Sequence, residues 1–190
     1  PTTGWRYLIN QTVLDGNNGN VDILTVYSLS SFNCEGICNI NTKGTAIRSR
    51  LESPRCFITQ SIFKNAGVLG YAYCYVSNCA CIDIGVSKIG IQFRVGNGFV
   101  DNCVISGESA SNNTGVSLID ESIAAIKNSG IFSIAFSAYS GRPTTITHLS
   151  NCYIDSSCTY GAYGYNITLF YCTNNAATPV YNLTSGGSIA

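Results

Sequence analysis

Polar and apolar positions follow one short pattern that recurs along the whole chain. The pattern is an apolar residue, any residue, Asn or Gln, then Cys or Ser/Thr, and then apolar residues, as in the segment Leu149 to Asp155. We call the third position of each copy its anchor, and the anchors are residues 11, 33, 60, 78, 102, 128, 151 and 171. Neighbouring anchors lie 18 to 27 residues apart. A spacing of this size predicts stacked structural repeats.

Each repeat carries a second strand-like segment downstream of its anchor, usually entered through glycine. Apolar residues alternate with polar ones in these segments, which places one side of each short strand inward. Glycine permits the sharp corner between the two strands. One anchor strand, one glycine-entered strand and their turns then make one coil. The segments begin at Gly19, Gly44, Gly70, Gly90, Gly115 and Gly161, while repeats six and eight use 134–136 and 179–181 without glycine.

This pattern predicts an all-β fold, a single-stranded parallel β-helix of about eight coils. Residues 1–183 would form the β-helix domain, and residues 184–190 would form a tail or an exit segment. Residues 120–127 are compatible with a helix capped by Asp120, but the repeat makes their second half a strand. Because the chain begins at Pro1 and contains no Met, we expect a fragment or a processed product.

The Asn and Cys positions of the repeat predict two files of stacked side chains. The anchor amides either hydrogen-bond from coil to coil, as in amide ladders, or occupy surface turns; their recurrence beside Cys favours the ladder. In parallel strands, equivalent side chains point the same way, which suits a disulfide poorly. We therefore expect free, buried thiols at the repeating cysteines, whereas a pair among the less regular Cys38, Cys56, Cys74, Cys81 and Cys158 could bridge. The repeating cysteines are Cys34, Cys79, Cys103, Cys152 and Cys172.

Charge and composition exclude several classes of partner. Charged residues make up only 11% of the chain, and ten basic residues balance ten acidic ones, so no basic stripe for nucleic acid is present. No apolar run is long enough to span a membrane. The lone His148 and the cysteine spacings complete no zinc ligand set. We expect no metal and no cofactor.

The repeats resemble right-handed parallel β-helices of the pectate-lyase-like type, on the strength of coils of twenty-odd residues with Asn and Cys files. Within that group the chain looks most like the shaft of a bacteriophage tailspike, because its coils are irregular, rich in Ser, Thr, Asn, Gly and Tyr, and poor in charge. The resemblance implies a homotrimer on a virion tail that binds a bacterial surface polysaccharide and often cleaves it. It matches no catalytic signature residue by residue.

Hydrolysis of a glycosidic bond requires two carboxylates within several ångströms of each other. Asp83 and Glu108 follow neighbouring anchors by five and six residues, so they are one candidate catalytic pair. Asp120 and Glu121 follow the second strand of coil five, near Arg94 of coil four, and Asp120 with Arg94 is the other candidate pair. The alternative is that these are solvated turn residues with Arg94 in an ordinary surface ion pair. A lyase would instead use groups such as Lys88 and Arg94.

Tyrosines offer a second route to sugar recognition. Tyr71, Tyr73 and Tyr75 alternate with Ala72 and Cys74, so we expect all three rings to face one way. Exposed rings of this kind stack on pyranoses, and their hydroxyl groups hydrogen-bond. The competing interpretation places them in the core or at a subunit contact.

These features leave three functions open. The first is a tailspike-like protein that recognises and depolymerises polysaccharide, by hydrolysis or elimination. The second is a non-catalytic shaft or adhesin that binds cell-surface glycans, and the third is a secreted or cell-surface lyase or epimerase.

Overall fold

A computed structural model describes residues 12–15, 24–26, 32–40, 45–49, 55–65, 67–85, 88–108, 112–134, 137–141 and 144–184. All the regular structure in these residues is β-strand. In this part of the chain no helix is long and apolar enough to cross a membrane. The strands in chain order are β1 (Thr12–Asp15), β2 (Leu24–Val26), β3 (Phe32–Glu35), β4 (Ile37–Ile40), β5 (Ile47–Ser49), β6 (Cys56–Thr59), β7 (Ile62–Lys64), β8 (Val68–Ser77), β9 (Ala80–Ile84), β10 (Ile89–Asp101), β11 (Val104–Gly107), β12 (Thr114–Lys127), β13 (Gly130–Phe132), β14 (Ser137–Gly141), β15 (Ile146–Ser150), β16 (Tyr153–Ile154), β17 (Tyr160–Tyr165), β18 (Ile167–Phe170), β19 (Thr173–Asn174) and β20 (Thr178–Thr184).

The strands wind as a parallel β-solenoid with three faces. The first face is one sheet, in the order β1-β4-β7-β9-β11-β13-β16-β19. The second face runs β2-β5-β8-β10-β12-β14-β17-β20. The third face contains β3, β6, β15 and β18, together with the second halves of β8, β10 and β12, which continue through the corner from the second face. Each strand pairs in parallel with its equivalent one coil away, which confirms the predicted fold class.

About five turns are complete, fewer than the eight that the anchors predict. The turns that begin with β7, β9, β11, β13 and β16 have all three faces described. The two turns before them contain longer segments outside the described residues, and the turn that begins with β19 has no described third-face strand. Thr184 still belongs to β20, while the rest of the predicted tail lies outside the described residues. The right-handed sense of the coils stays a prediction.

Stacked apolar side chains fill the interior. On the first face, register pairs Phe63, Cys81, Ile105 and Ile131 in one inward file, and all four are almost fully buried. Residues 120–127 lie within β12, so the helix alternative for this segment was wrong and the strand prediction was right. Their alternate residues contact the interior, as Ser122, Ala124 and Ile126 are buried.

The anchor residues form the corner between the third and first faces, and they share one backbone conformation. Gln60, Asn78, Asn102, Asn128 and Asn151 all have φ of 50° to 51°. This left-handed conformation is disfavoured for most L-residues and tolerated best by Gly and Asn. The sharp reversal of direction at this corner therefore explains why Asn recurs there.

The predicted anchor at Asn33 was wrong. Asn33 lies within β3 and pairs in register with Phe57, so it occupies a strand position. The corner residue of this coil is Gly36, with φ of 67°, and its amide nitrogen bonds the Thr59 carbonyl just as the other corner residues bond the next coil. Glycine replaces Asn here because both tolerate the left-handed conformation, and the Asn-Cys pair in β3 imitates the repeat by sequence alone.

The residue after each corner explains the Cys or Ser of the repeat. After each amide corner this side chain turns inward and donates a hydrogen bond to the carbonyl two residues earlier, across the corner, whereas Ile37 follows the glycine corner and has no side-chain donor. The sulfur-to-oxygen distance is 3.1 Å for Cys79 and 3.3 Å for Cys103 and Cys152. The hydroxyl groups of Ser61 and Ser129 make the same bond at 2.9 and 2.6 Å. The site therefore needs a small side chain that is apolar enough to be buried and still donates.

All nine cysteines whose side chains are described are free thiols, as predicted for the repeating ones. Four of the five repeating cysteines, Cys79, Cys103, Cys152 and Cys172, follow a corner residue. Cys34 does not, because it lies on β3 in register with Ile58. Cys56 and Cys74 are register partners on the third face and both are buried, yet no disulfide joins them. Burial raises the pKa of the Cys34 and Cys152 thiols to about 11.

Candidate functional site

The third face carries the candidate site, between two exposed corners. One border is the corner that joins the second face to the third. Tyr71 and Ala72 are consecutive there, whereas the next coil inserts Val95 between their register partners, Arg94 and Gly96. In the coil after that, Asp120 and Glu121 lie between the partners of Arg94 and Gly96. The corner therefore gains one residue per coil and bulges outward, which places Asp120 and Glu121 on a protrusion.

The backbone of this protrusion is strained. Val95 has φ of 55° and Asp120 has φ of 58°. A β-branched residue in this region is an outlier, and such strain concentrates at functional sites. The buried Ser122 supports the turn by donating to the carbonyls of Ile119 and Phe93, at 2.6 and 3.2 Å.

Arg94 connects three coils at the corner. Its Nε lies 3.3 Å from Oδ2 of Asp120, and its Nη1 donates to the Tyr71 hydroxyl at 3.2 Å. Its guanidinium carbon also lies 5.6 Å from the centre of the Tyr71 ring. The side chains of Arg94 and Asp120 are 40% and 41% exposed, so solvent and ligands reach both. The predicted pairing of Asp120 with Arg94 is therefore present, although as a surface ion pair it contributes at most about 1 kcal/mol to stability.

An aromatic cluster forms the floor of the third face. Tyr73 and Tyr75 point outward and are half-buried, and they pack against Phe57 of the preceding coil and Phe99 of the following one. The four ring-centre distances range from 5.3 to 6.2 Å, with tilted planes. The Arg55 guanidinium carbon lies 5.8 Å from the centre of the Tyr73 ring. Tyr73 and Tyr75 lie outside the core, so the prediction of a core position is wrong for them, while sugar binding and a subunit contact both stay predictions.

The anchor amides form the other border of the third face. Nδ2 of Asn102 donates to Oδ1 of Asn78 at 2.7 Å, and Nδ2 of Asn151 donates to Oδ1 of Asn128 at 2.8 Å. Between these pairs the ladder is interrupted, because Asn128 donates to Asp101 instead, at 2.8 Å. All four Asn side chains are exposed. Both interpretations of the anchors therefore hold at once, since the amides occupy surface turns and also bond from coil to coil.

The structure separates the four predicted catalytic carboxylates into two corners. Asp83 and Glu108 lie where the first face ends, in contrast to Asp120 and Glu121. Asp83 is exposed in a β-bulge with φ of 53°, and its carboxylate is 3.4 Å from Lys64 of the preceding coil. Gly107 pairs with Ile84, so Glu108 falls two positions beyond Asp83 along the neighbouring strand. The two are therefore not register partners.

Sequence reasoning missed the phenylalanine half of the aromatic cluster. Phe93 of the neighbouring coil is 2% exposed and lies in the core, while Phe99 packs against Tyr73 and Tyr75. Two signals were available. Phe99 lies three residues before an anchor, as Tyr75 does, and Phe57 holds the same position before Gln60.

Within the described residues, no group of three or more His, Cys, Asp or Glu side chains could hold a metal ion. The groups that the site offers are rings, amides, carboxylates and the guanidinium groups of Arg55 and Arg94. Comparisons with protein-family models, with curated proteins and with solved structures found no match for this chain.

Proposed function

We propose that the chain is a tailspike-like receptor-binding β-helix that recognises a bacterial surface polysaccharide on its third face. The aromatic cluster of Phe57, Tyr73, Tyr75 and Phe99 is the observation that carries this proposal. Aromatic rings stack on the non-polar side of a pyranose, and polar groups at the ring edge bind its hydroxyl groups. The exposed corners on both sides of the cluster supply such groups.

The two borders suit a polyhydroxylated ligand in different ways. At one corner Arg94 offers N–H donors, and Asp120 and Glu121 offer carboxylate acceptors. At the other, the exposed amides of Asn78 and Asn102 offer both donors and acceptors. A saccharide across the third face would contact rings beneath it and hydrogen-bonding groups on either side. The low charge of the chain fits recognition by stacking and hydrogen bonds.

Binding to a panel of purified capsular and O-antigen polysaccharides tests this proposal, with affinities measured by calorimetry. Tyr73→Ala and Phe99→Ala should each lower the affinity for the polysaccharide that binds by about tenfold, which corresponds to about 1.4 kcal/mol. Ile146→Ala is the matched control, because Ile146 is exposed on the same face one coil beyond the coil of Asp120 and Glu121. An equal effect of all three substitutions, or unchanged affinity in both ring variants, would refute the assignment of the site.

Depolymerisation is the second part of the proposal, and the corner carboxylates are the groups that we assign to it. Asp120 lies in strained backbone, its carboxylate contacts Arg94, and the exposed Glu121 follows it. Asp120→Asn and Glu121→Gln should abolish release of reducing ends or unsaturated products from the bound polysaccharide. Asp83→Asn and Glu108→Gln, at the other corner, test the alternative pair. Binding without any product would favour the non-catalytic shaft or adhesin.

The assembly is a further element of this proposal. A tailspike-like role implies three copies side by side on a virion tail, and a secreted or cell-surface location is the alternative. Light scattering of the purified chain measures its mass in solution. A strictly monomeric chain would favour the secreted enzyme over the tailspike.

A further inference from the structure

One file of outward side chains on the third face changes character partway along the solenoid. Register places Phe57, Tyr75 and Phe99 at equivalent positions of three successive coils, and Ala125 and His148 at the same position of the next two. Three large rings are therefore followed by a methyl group and then by an imidazole. The three rings belong to the aromatic cluster, and the last two residues extend the same file beyond it.

Ala125 and His148 both face outward, because alternate residues of a strand point to opposite sides. Their immediate neighbours in β12 and β15 lie in the interior, at no more than 1% exposure. Ala125 itself is half-buried and His148 is exposed. Solvent therefore reaches both side chains, and a ligand on this face can do the same.

A gap opens above Ala125, between the ring of Phe99 and the imidazole of His148. Neighbouring strands lie about 4.8 Å apart, so residues two strands apart in one file are separated by about 10 Å. A ring in contact with a wall on either side needs about 7–8 Å, which is twice the contact distance between carbon atoms. The gap is therefore wide enough for one ring. By contrast, the ring centres of Tyr75 and Phe99 are 6.2 Å apart, which leaves no room between them.

The groups around the gap offer hydrogen bonds as well as an aromatic wall. In the part of the chain that the structure describes, the side chain of His148 has no hydrogen-bond or ion-pair partner, so its ring nitrogens can bind a ligand. Lys127 lies two residues after Ala125 on the same side of β12 and is exposed. Its register partner is Asp101, whose carboxylate accepts hydrogen bonds.

We propose that this gap is a subsite of the third-face saccharide site, which takes one sugar ring of the polysaccharide between Phe99 and His148. The inference rests on the proposed function and deepens it, because it assigns recognition of a single sugar unit to Ala125 and His148, outside the aromatic cluster. Phe99 stacks on the non-polar side of the ring, and His148 hydrogen-bonds its hydroxyl groups. Ala125 contributes by being small, since a larger side chain would fill the space.

The shape and the polarity of the gap favour a saccharide over a protein partner. A stable protein interface needs about 1,000 Å² or more of complementary surface, whereas this gap is one ring wide and has polar groups at its edge. A pyranose has a non-polar side and hydroxyl groups at its periphery, so it matches one aromatic wall and one hydrogen-bonding wall. Because Phe99 belongs to both, the gap is continuous with the aromatic cluster.

Ala125→Phe distinguishes a gap from a flat platform of rings. The new ring would complete an unbroken aromatic row, so a ligand that only lies on the rings should bind as tightly as before or more tightly. A ligand that occupies the gap should lose at least tenfold in affinity, measured by calorimetry with the polysaccharide that binds the wild type. The strand should accept the substitution, since the position faces outward and aromatic residues are favoured in strands. Thr168→Phe is the matched control and should leave the affinity unchanged, because Thr168 pairs with His148 on the side away from the gap.

His148→Ala tests the other wall without filling the gap. It should lower the affinity for the same polysaccharide about fivefold, whereas Ile146→Ala, on the same strand and the same side, should not. Circular dichroism at the temperature of the binding measurement establishes that each variant is folded. Because His148 is exposed, its replacement by alanine supplies the test even if Ala125→Phe fails to fold.

The outcomes separate this inference from the proposed function. Unchanged or higher affinity in either folded variant, with binding still weakened by Tyr73→Ala, overturns the gap subsite and leaves the proposed site in place. Failure of the wild type to bind any saccharide overturns both. Sedimentation that shows self-association in the wild type and none in Ala125→Phe, with saccharide affinity unaffected, would instead identify the gap as a subunit contact.

Discussion

Replacement of Asn102 tests whether backbone conformation is what selects Asn at the corners. Asn102 has φ of 50°, is exposed, and donates one side-chain hydrogen bond to Asn78. Asn102→Ala removes this bond and forces a residue with a Cβ into the left-handed conformation. Asn102→Gly removes the same bond but adopts that conformation freely. The two variants therefore separate the amide ladder from the turn.

The expected loss of stability is the sum of a backbone cost and the loss of one hydrogen bond. The left-handed conformation costs alanine about 1–2 kcal/mol, and loss of an exposed hydrogen bond costs about 0.5 kcal/mol. Asn102→Ala should therefore lower the free energy of unfolding by about 2 kcal/mol, or the melting temperature by about 4–8 °C for a chain of this size. Glycine avoids the first cost but adds flexibility to the unfolded chain, so Asn102→Gly should lose only about 1 kcal/mol.

Equilibrium unfolding in urea measures both variants against the wild type. Asn97→Ala serves as the control, because Asn97 is exposed in β10 outside the left-handed region and should change stability by less than about 0.5 kcal/mol. Equal destabilisation by the alanine and glycine variants would refute the conformational argument. The amide ladder alone would then account for the Asn file.

Four further predictions concern the core, the thiols and pH. Cys103→Ser should stay close to wild type in urea unfolding, whereas Cys103→Ala should lose about 1–2 kcal/mol, because only serine keeps the donor to the carbonyl across the corner. Gly98→Ala should destabilise by about 1–3 kcal/mol, since the new Cβ would lie 2.5 Å from a buried phenylalanine ring. At pH 8 a thiol reagent should label the half-buried Cys172 of the folded protein well before Cys152, whose pKa burial raises to about 11, and mass spectrometry of peptides would show the order. The pKa of Asp155 is lowered in the folded protein, so its carboxylate contributes stability above pH 3.8, the ordinary pKa of the group. This stability is lost as the pH falls through the pKa of the folded state. In Asp155→Asn the melting temperature should therefore fall less steeply with decreasing pH in the acid range.

The spacing of the repeats was sufficient to predict the fold. A parallel solenoid needs equivalent residues at equivalent places, and the copies around Asn78, Asn102, Asn128 and Asn151 supply them. Alignment failed at Asn33, because Gly36 meets the same backbone requirement as Asn without sharing its letter. A repeat that is defined by residue type misses this replacement of Asn by Gly. A comparison of backbone φ values finds it, because both residues have left-handed φ.

The candidate site was predicted in part. Arg94 and Asp120 were paired correctly, since each follows the glycine-entered strand of its own coil. The sequence placed the four carboxylates after two different strands, but it did not predict that Glu108 is offset from Asp83, because that offset depends on where the bulge of β9 falls. Insertions such as Val95 change the register by one residue, and nothing in local propensity fixes where that residue is absorbed.

Departures from the repeat are therefore better guides to function in this fold than the repeat itself. The inner position after the corners at Gln60, Asn78, Asn102, Asn128 and Asn151 is Cys or Ser, which supplies a buried donor, whereas Ile37 follows the glycine corner at Gly36. The exposed corner positions must only tolerate left-handed backbone, so a β-branched residue in that conformation is a departure from the repeat, and such strain clusters at functional sites. Val95 is such a residue, and it lies with the left-handed Asp120 at the corner that borders the aromatic cluster. The proposed saccharide site therefore lies where the corner of the solenoid departs from the regular repeat.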